Sequence, residues 1–247
     1  DRLVEGESYY THAPLVPLAS VVIGWLLLRY TKVAVRPSPV LGGLLLAGSL
    51  LVHLLSCFVG VQFVQGFAFI GVVAGLVLCL WGSSVLRRLW FPIAILVFMT
   101  PLPPMAIAQM NFRLKMLAAD WGVTVATFLG AASEHAGSRI LLDGGKEMLV
   151  GNVCSGLRTL ISLLGFGAIY AYVCRLRGWW RMGLFAMTVP VAIASNGLRI
   201  TALILVAHLI DVPAATGWFH DISGVLVFVF AFLFMFGLER LVLFARA

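Results

Sequence analysis

VLGGLLLAGSLLVHLLSCF, residues Val40–Phe58, and VQFVQGFAFIGVVAGLVLCLWG, residues Val61–Gly82, contain no Asp, Glu, Lys or Arg and are parted only by Val59 and Gly60. Each matches the roughly 20 apolar residues that a helix needs to cross a hydrocarbon core about 30 Å thick. Lipid offers a backbone no hydrogen-bond partner, so such a run must satisfy its own amides, and a helix does this within one segment. The pair therefore reads as two membrane helices joined by a tight turn.

The same reading extends along the chain. Leu15–Tyr30 is an earlier span, closed by Arg29, Lys32, Arg36 and the Pro37-Ser38-Pro39 break. Leu89–Leu102 follows Arg87 and Arg88 and ends in Pro101-Leu102-Pro103-Pro104. Val153–Val173, Met182–His208 and Ile222–Phe244 complete a set of seven. Met105–Ala131 carries Gln109, Asn111, Arg113, Lys115 and Asp120, too many polar groups for hydrocarbon, and reads as an amphipathic helix in the interface. Arg139–Leu142 and Glu147–Val150, around Asp143-Gly144-Gly145-Lys146, read as a short extracytoplasmic hairpin with a glycine turn. The expected fold is an all-α polytopic membrane protein.

Composition supports that class. Apolar residues make up 62% of the 247 positions and charged residues 11%, against about a quarter charged in ordinary soluble domains. No polar linker, repeat or low-complexity tract divides the chain, so residues 1–247 read as one transmembrane domain. The net charge of +7 does not indicate nucleic acid, because the basic residues lie between apolar runs rather than along one solvated face.

Those basic residues orient the chain. With Asp1 outside, the inner loops collect Arg29, Lys32, Arg36, Arg87, Arg88, Arg175, Arg177, Arg181, Arg240 and Arg246. The outer segments hold Arg2, Arg113, Lys115, Arg139 and Lys146. This is the positive-inside bias of a multi-pass protein of the cytoplasmic (inner) membrane. An outside start also implies one further span ahead of Asp1, making eight.

Five polar positions do not fit a purely structural role. Arg158 and Arg199 lie within apolar runs, where an arginine costs roughly 3 kcal/mol at a helix centre on insertion scales. Cys154 is four residues before Arg158, on the same helical face, and a thiol beside a fixed cation deprotonates more readily. Asn196 is three residues before Arg199 and shares its face. His220 stands where a loop enters the last helix, and an imidazole there can exchange protons near neutral pH; Asp221 beside it suits a helix cap. In the orientation above, Cys154, Arg199 and His220 all meet at the extracytoplasmic side. An arginine near a span end also serves as a simple anchor when it snorkels, which fits Arg158 better than Arg199. The other cysteines, Cys57, Cys79 and Cys174, read as small core hydrophobes. No CxxC pair suggests a zinc site or a disulfide framework, and no metal or cofactor is expected.

Cys154-Ser155-Gly156-Leu157-Arg158, Asn196-Gly197-Leu198-Arg199-Ile200 and His220 with Ser223-Gly224 resemble the three signature blocks of the exosortase/archaeosortase family. Tyr9-Tyr10-Thr11-His12-Ala13-Pro14-Leu15-Val16-Pro17 resembles that family's Tyr-Ser-His-Gly-x-Leu-Val-Pro start, with Ala13 in place of glycine. The resemblance covers nearly the whole chain in order. It implies a membrane cysteine transpeptidase acting on exported proteins that end in a short motif, a transmembrane helix and a basic cluster, with transfer of the new carboxyl end to an envelope acceptor, a lipid or polysaccharide. It also implies Cys154 as nucleophile, Arg199 as the essential arginine and His220 in the third place, where histidine marks the bacterial branch. Ser155, Gly156, Arg158, Asn196, His12 and Asp221 are supporting positions on this reading.

Two other classes stay open. Arg158 and Arg199 could line the path of an anion transporter or channel, which would need no thiol. An adapter that docks a partner helix leaves both arginines unexplained. The Gly-x-Ser-x-Gly of a rhomboid-like enzyme and the His-Glu-x-x-His of a zinc protease are absent from the sequence.

Overall fold

The computed structural model describes residues 13–142, 145–149 and 156–245. They form two compact units, one ending at Pro104 and one beginning at Met105.

The first unit is built on a helical hairpin, α2 (Pro39–Val59) and α3 (Gln62–Leu80), with α4 (Ser83–Arg88) and α5 (Trp90–Ile95) against α3 and α1 (Leu15–Arg29) against α5. Between apolar helices in lipid there is little hydrophobic drive, so association depends on close backbone approach at small residues. Gly42 and Gly75 supply it. A Cβ on Gly42 would lie 2.3 Å from the Cys79 amide nitrogen, and one on Gly75 would lie 2.7 Å from that of Leu46. The outward faces of both helices remain apolar and exposed, as in Leu41, Leu44 and Phe67. Cys57, expected in the core, is exposed on α2, whereas Cys174 is buried.

The second unit contains α6 (Pro104–Phe128), strands β1 (Ser133–Ala136), β2 (Arg139–Leu142) and β3 (Lys146–Leu149), then α7 (Leu157–Val173), α8 (Trp179–Leu209), α9 (Val212–Thr216) and α10 (Trp218–Phe244). α8 is its centre: 56% of its most apolar stretch is buried, against 22% for α10. Two apolar clusters share it. Leu184, Val191 and Ala192 pack with α7 and α10 around Leu160, Leu163, Ala231 and Met235. Ile200, Leu203, Ile204 and Ala207 pack with Ala118, Ala119 and Ala126 of α6, Ala215 of α9 and the inner face of the sheet.

Several expectations change. Among the described residues four helices are long and apolar enough to cross a membrane: α2, α3, α8 and α10. A fifth crossing is reached if α5, the following 3-10 turn Leu96–Met99 and α6 make one broken span. Leu89–Leu102 is therefore not a span of its own. Pro101, Pro103 and Pro104 cannot continue a helix, and ten residues rise only about 15 Å, half a hydrocarbon core. α1 and α7, at 15 and 17 residues, are apolar but shorter than those four. α6 does more than lie in an interface, since its small residues dock on α8; a Cβ on Gly122 would come within 2.5 Å of Ile200 Cγ2. The expected hairpin is part of a three-stranded antiparallel sheet in the order β1-β2-β3. Ile140, Leu142 and Met148 face the core, and Ile140 lies opposite Met148.

The close α2–α3 approach has a measurable consequence. Gly42→Ala should lower the unfolding temperature of the detergent-solubilised chain, by the equivalent of about 1–3 kcal/mol of overpacking. Gly43→Ala, whose added methyl meets open space, should leave it unchanged or slightly raised.

Candidate functional site

Arg199 is the polar centre of the second unit. It lies on α8 between the two apolar clusters, buried to 7% exposure, with Ser195 and Asn196 in the preceding turn, also buried. Its guanidinium reaches across to the first turn of α10. Nε–H donates to Ser223 Oγ at 3.1 Å and Nη2–H donates to the His220 carbonyl oxygen at 3.0 Å. The Ser223 hydroxyl donates in turn to the same carbonyl at 2.9 Å. Gly224 borders the fork, where a Cβ would make only an ordinary contact at 3.5 Å from Nη2. A buried guanidinium is tolerated only when its donors are met, and α10 meets two of them.

His220 therefore joins Arg199 through its backbone. Its ring lies beside Asp221, with Nδ1 3.4 Å from Oδ1; the histidine side chain is 21% exposed and the aspartate 86%. Both residues lie inside α10, which starts at Trp218, rather than in a loop before it. Asp221 does not cap that helix: the capping position is Gly217, without a side-chain bond. The aspartate that does cap a helix is Asp211, whose Oδ1 accepts the Ala214 amide at 2.7 Å and starts α9.

A second junction brings the start of α7 to the same turn of α8. Gly156 precedes α7 with φ +82, a left-handed conformation that costs other residues about 1–2 kcal/mol. A Cβ on it would lie 2.6 Å from Asn196 Nδ2. Glycine is thus required twice, by its backbone and by its neighbour. Beside this junction α6, α7 and α8 line a shallow, mostly apolar depression formed by Leu117, Trp121, Leu160 and Ile193 as well as by Gly156 and Asn196.

The expected site residues divide as follows. Arg199, His220 and Asp221 are brought together, and Gly156 meets Asn196 one turn away. Arg158 stands in the first turn of α7, half-buried, its Nε buried and making no hydrogen bond; it lies at a helix start rather than deep in a span. Cys154, Ser155 and His12 lie outside the described residues. Ser223 was not singled out as a site residue, although its place three residues after His220, one helical turn on, marks it as able to share a partner. Among the described residues, no three His, Cys, Asp or Glu side chains gather as metal ligands do.

Replacing Gly156 separates its two requirements. Gly60 is also left-handed (φ +75) but faces open space, so Gly60→Ala should lose only the backbone contribution of about 1–2 kcal/mol. Gly156→Ala should lose more in thermal unfolding, and combining it with Asn196→Ala should recover part of the excess.

Neither curated proteins nor solved structures gave a match to the chain. A family model described as transmembrane exosortase matches residues 4–237, a range that includes both compact units and every residue of the junctions around Arg199. With its apolar helices and this match over nearly its whole length, the chain belongs to the transmembrane exosortase family, multi-pass membrane transpeptidases that process exported proteins.

Proposed function

We propose that the chain cleaves exported proteins at a C-terminal signal of short motif, transmembrane helix and basic cluster, and transfers the new C-terminus to an envelope acceptor. The observation that carries this reading is the tie between Arg199 and the turn of α10 that holds His220, with the Gly156–Asn196 contact one turn away on α8. Cys154 is two positions before Gly156, and two residues of chain reach no farther than about 7 Å. This nearness in sequence supports reading the three blocks as parts of one site.

The chemistry follows the usual course for a thiol. The Cys154 thiolate adds to the scissile carbonyl, and Arg199 stabilises the developing oxyanion through charge-assisted hydrogen bonds. His220 gives a proton to the leaving amine, which departs with the membrane-anchored end of the substrate. The remaining thioester is attacked by an acceptor hydroxyl or amine, with His220 taking its proton and the Cys154 thiolate released, which restores the starting protonation of both groups. Arg158, at the head of α7, supplies a positive field that favours the thiolate. Residues 1–247 act as one functional domain in the cytoplasmic membrane, with the site at the extracytoplasmic face. Arg199 is engaged by α10, so the anion-path reading has no observation in its favour.

Cys154→Ala should abolish processing of an exported protein bearing such a signal, at normal protein level; retained processing refutes the enzyme reading. Arg199→Lys keeps the charge but not the planar fork, and processing should fall about 100-fold or more, the loss typical of an oxyanion donor. Ser223→Ala should reduce it less, and Ser223→Thr should restore it. In intact cells a membrane-impermeant maleimide should label Cys154; labelling only after lysis would reverse the assigned face.

A further inference from the structure

A sheet edge presents a row of backbone N–H and C=O groups that nothing in its own sheet can pair. Here that edge is β3. The sheet order makes β3 an outer strand, and among the described residues no backbone group bonds along its outer side. It is also held in place. Met148 is buried beneath it in the cluster that contains Ile200 and Ile204, the residue after Arg199 and one turn beyond. α9, packed against β3, contributes Ala215 to that cluster. The edge is thus fixed to the helix that carries the arginine. Its chain then runs from Leu149 to Cys154 in five residues. Glu147 and Lys146 are exposed on it, and Glu147 faces Arg139 at 3.9 Å, both half or more exposed. β1, the opposite edge, lies farther from Cys154 in sequence and is fastened to α6, where His135 Nε2 is 3.5 Å from Asp120 Oδ1.

We propose that β3 is a docking edge for the substrate: an extended segment of the exported protein, next to its scissile bond, pairs with β3 as a fourth strand. The proposal rests on the cysteine-transfer reading above and adds where and in what conformation the polypeptide is held. The family processes exported proteins, so the ligand that reaches this site has a backbone. An unpaired strand edge recognises that backbone through main-chain hydrogen bonds, whatever the side chains. Parallel pairing lays the residues before the scissile bond along β3, and antiparallel pairing lays those after it; both bury the same edge. A chain held extended also presents its carbonyl in one orientation to the arginine, which a flexible loop would not.

Photo-crosslinking separates this from the cysteine reading. The probe is an exported protein of the source cell that ends in an apolar helix and a basic cluster, epitope-tagged ahead of the helix. It is co-expressed with the full chain carrying Cys154→Ala together with Glu147→p-benzoylphenylalanine or, as the opposite-edge control, Glu134→p-benzoylphenylalanine. Several-fold more adduct from position 147, mapped within a few residues of the cleavage site, is the expected result. Equal adduct from both edges, adduct only from 134, or none from either while the wild-type chain still cuts the probe overturns the docking edge and leaves the cysteine reading standing. A probe left uncut by the wild-type chain overturns both. A second measurement needs no photoreactive residue. Backbone N-methylation scanned along a synthetic peptide spanning the cleavage site should weaken competition at alternate positions, as strand pairing requires. A flat profile contradicts strand pairing.

Discussion

A buried guanidinium on α8 sets the terms for the second unit. Arg199 lies among apolar helices, where its charge can be kept only if its donors are satisfied. Two of them are met by α10, through Ser223 Oγ and the His220 carbonyl. The requirement is directional, so it holds α8 and α10 in one register. Farther along the same antiparallel pair, Thr188 donates to Met235 Sδ at 3.5 Å. A slip of one turn would break both contacts and cost the guanidinium its two α10 partners.

The rest of the unit is arranged around that register. Above and below Arg199, α8 turns apolar and feeds two separate clusters, one shared with α7 and α10, the other with α6, α9 and the sheet. The polar residues Ser195, Asn196 and Arg199 lie at the seam between them. This placement lets a polar group enter an apolar unit without breaking either core. Elsewhere the same economy appears at Glu239, a buried carboxylate that accepts from the Tyr170 hydroxyl and from the Arg175 amide at 2.8 Å. It fastens the end of α7 to α10 at a distance from the site.

Much of this was legible in the residues. Arg199 and Asn196 stood out because hydrocarbon penalises them, and His220 because it follows a break in the apolar pattern. The spans themselves were less well read. Leu89–Leu102 passes as a crossing by composition, but its prolines and short rise make it a helical turn leading into a bend. α6 looked interfacial from its polar residues, yet its alanines and Gly122 form a face that only a partner helix reveals. The strand β1 carries the polar run Ser133-Glu134-His135, with no alternation strong enough to announce it.

The sequence by itself determined that this chain is helical and belongs in a membrane, because uncharged runs of about 20 residues can satisfy their backbones in lipid in no other way. It also determined which residue types are available for chemistry. Tertiary structure alone decided how they are used. Arg199 and the His220 carbonyl are 21 residues apart, and Gly156 and Asn196 belong to different helices. No local periodicity fixes contacts of that kind. They follow from which faces of α7, α8 and α10 bury together, and from the need of one buried cation for partners that its own helix cannot supply.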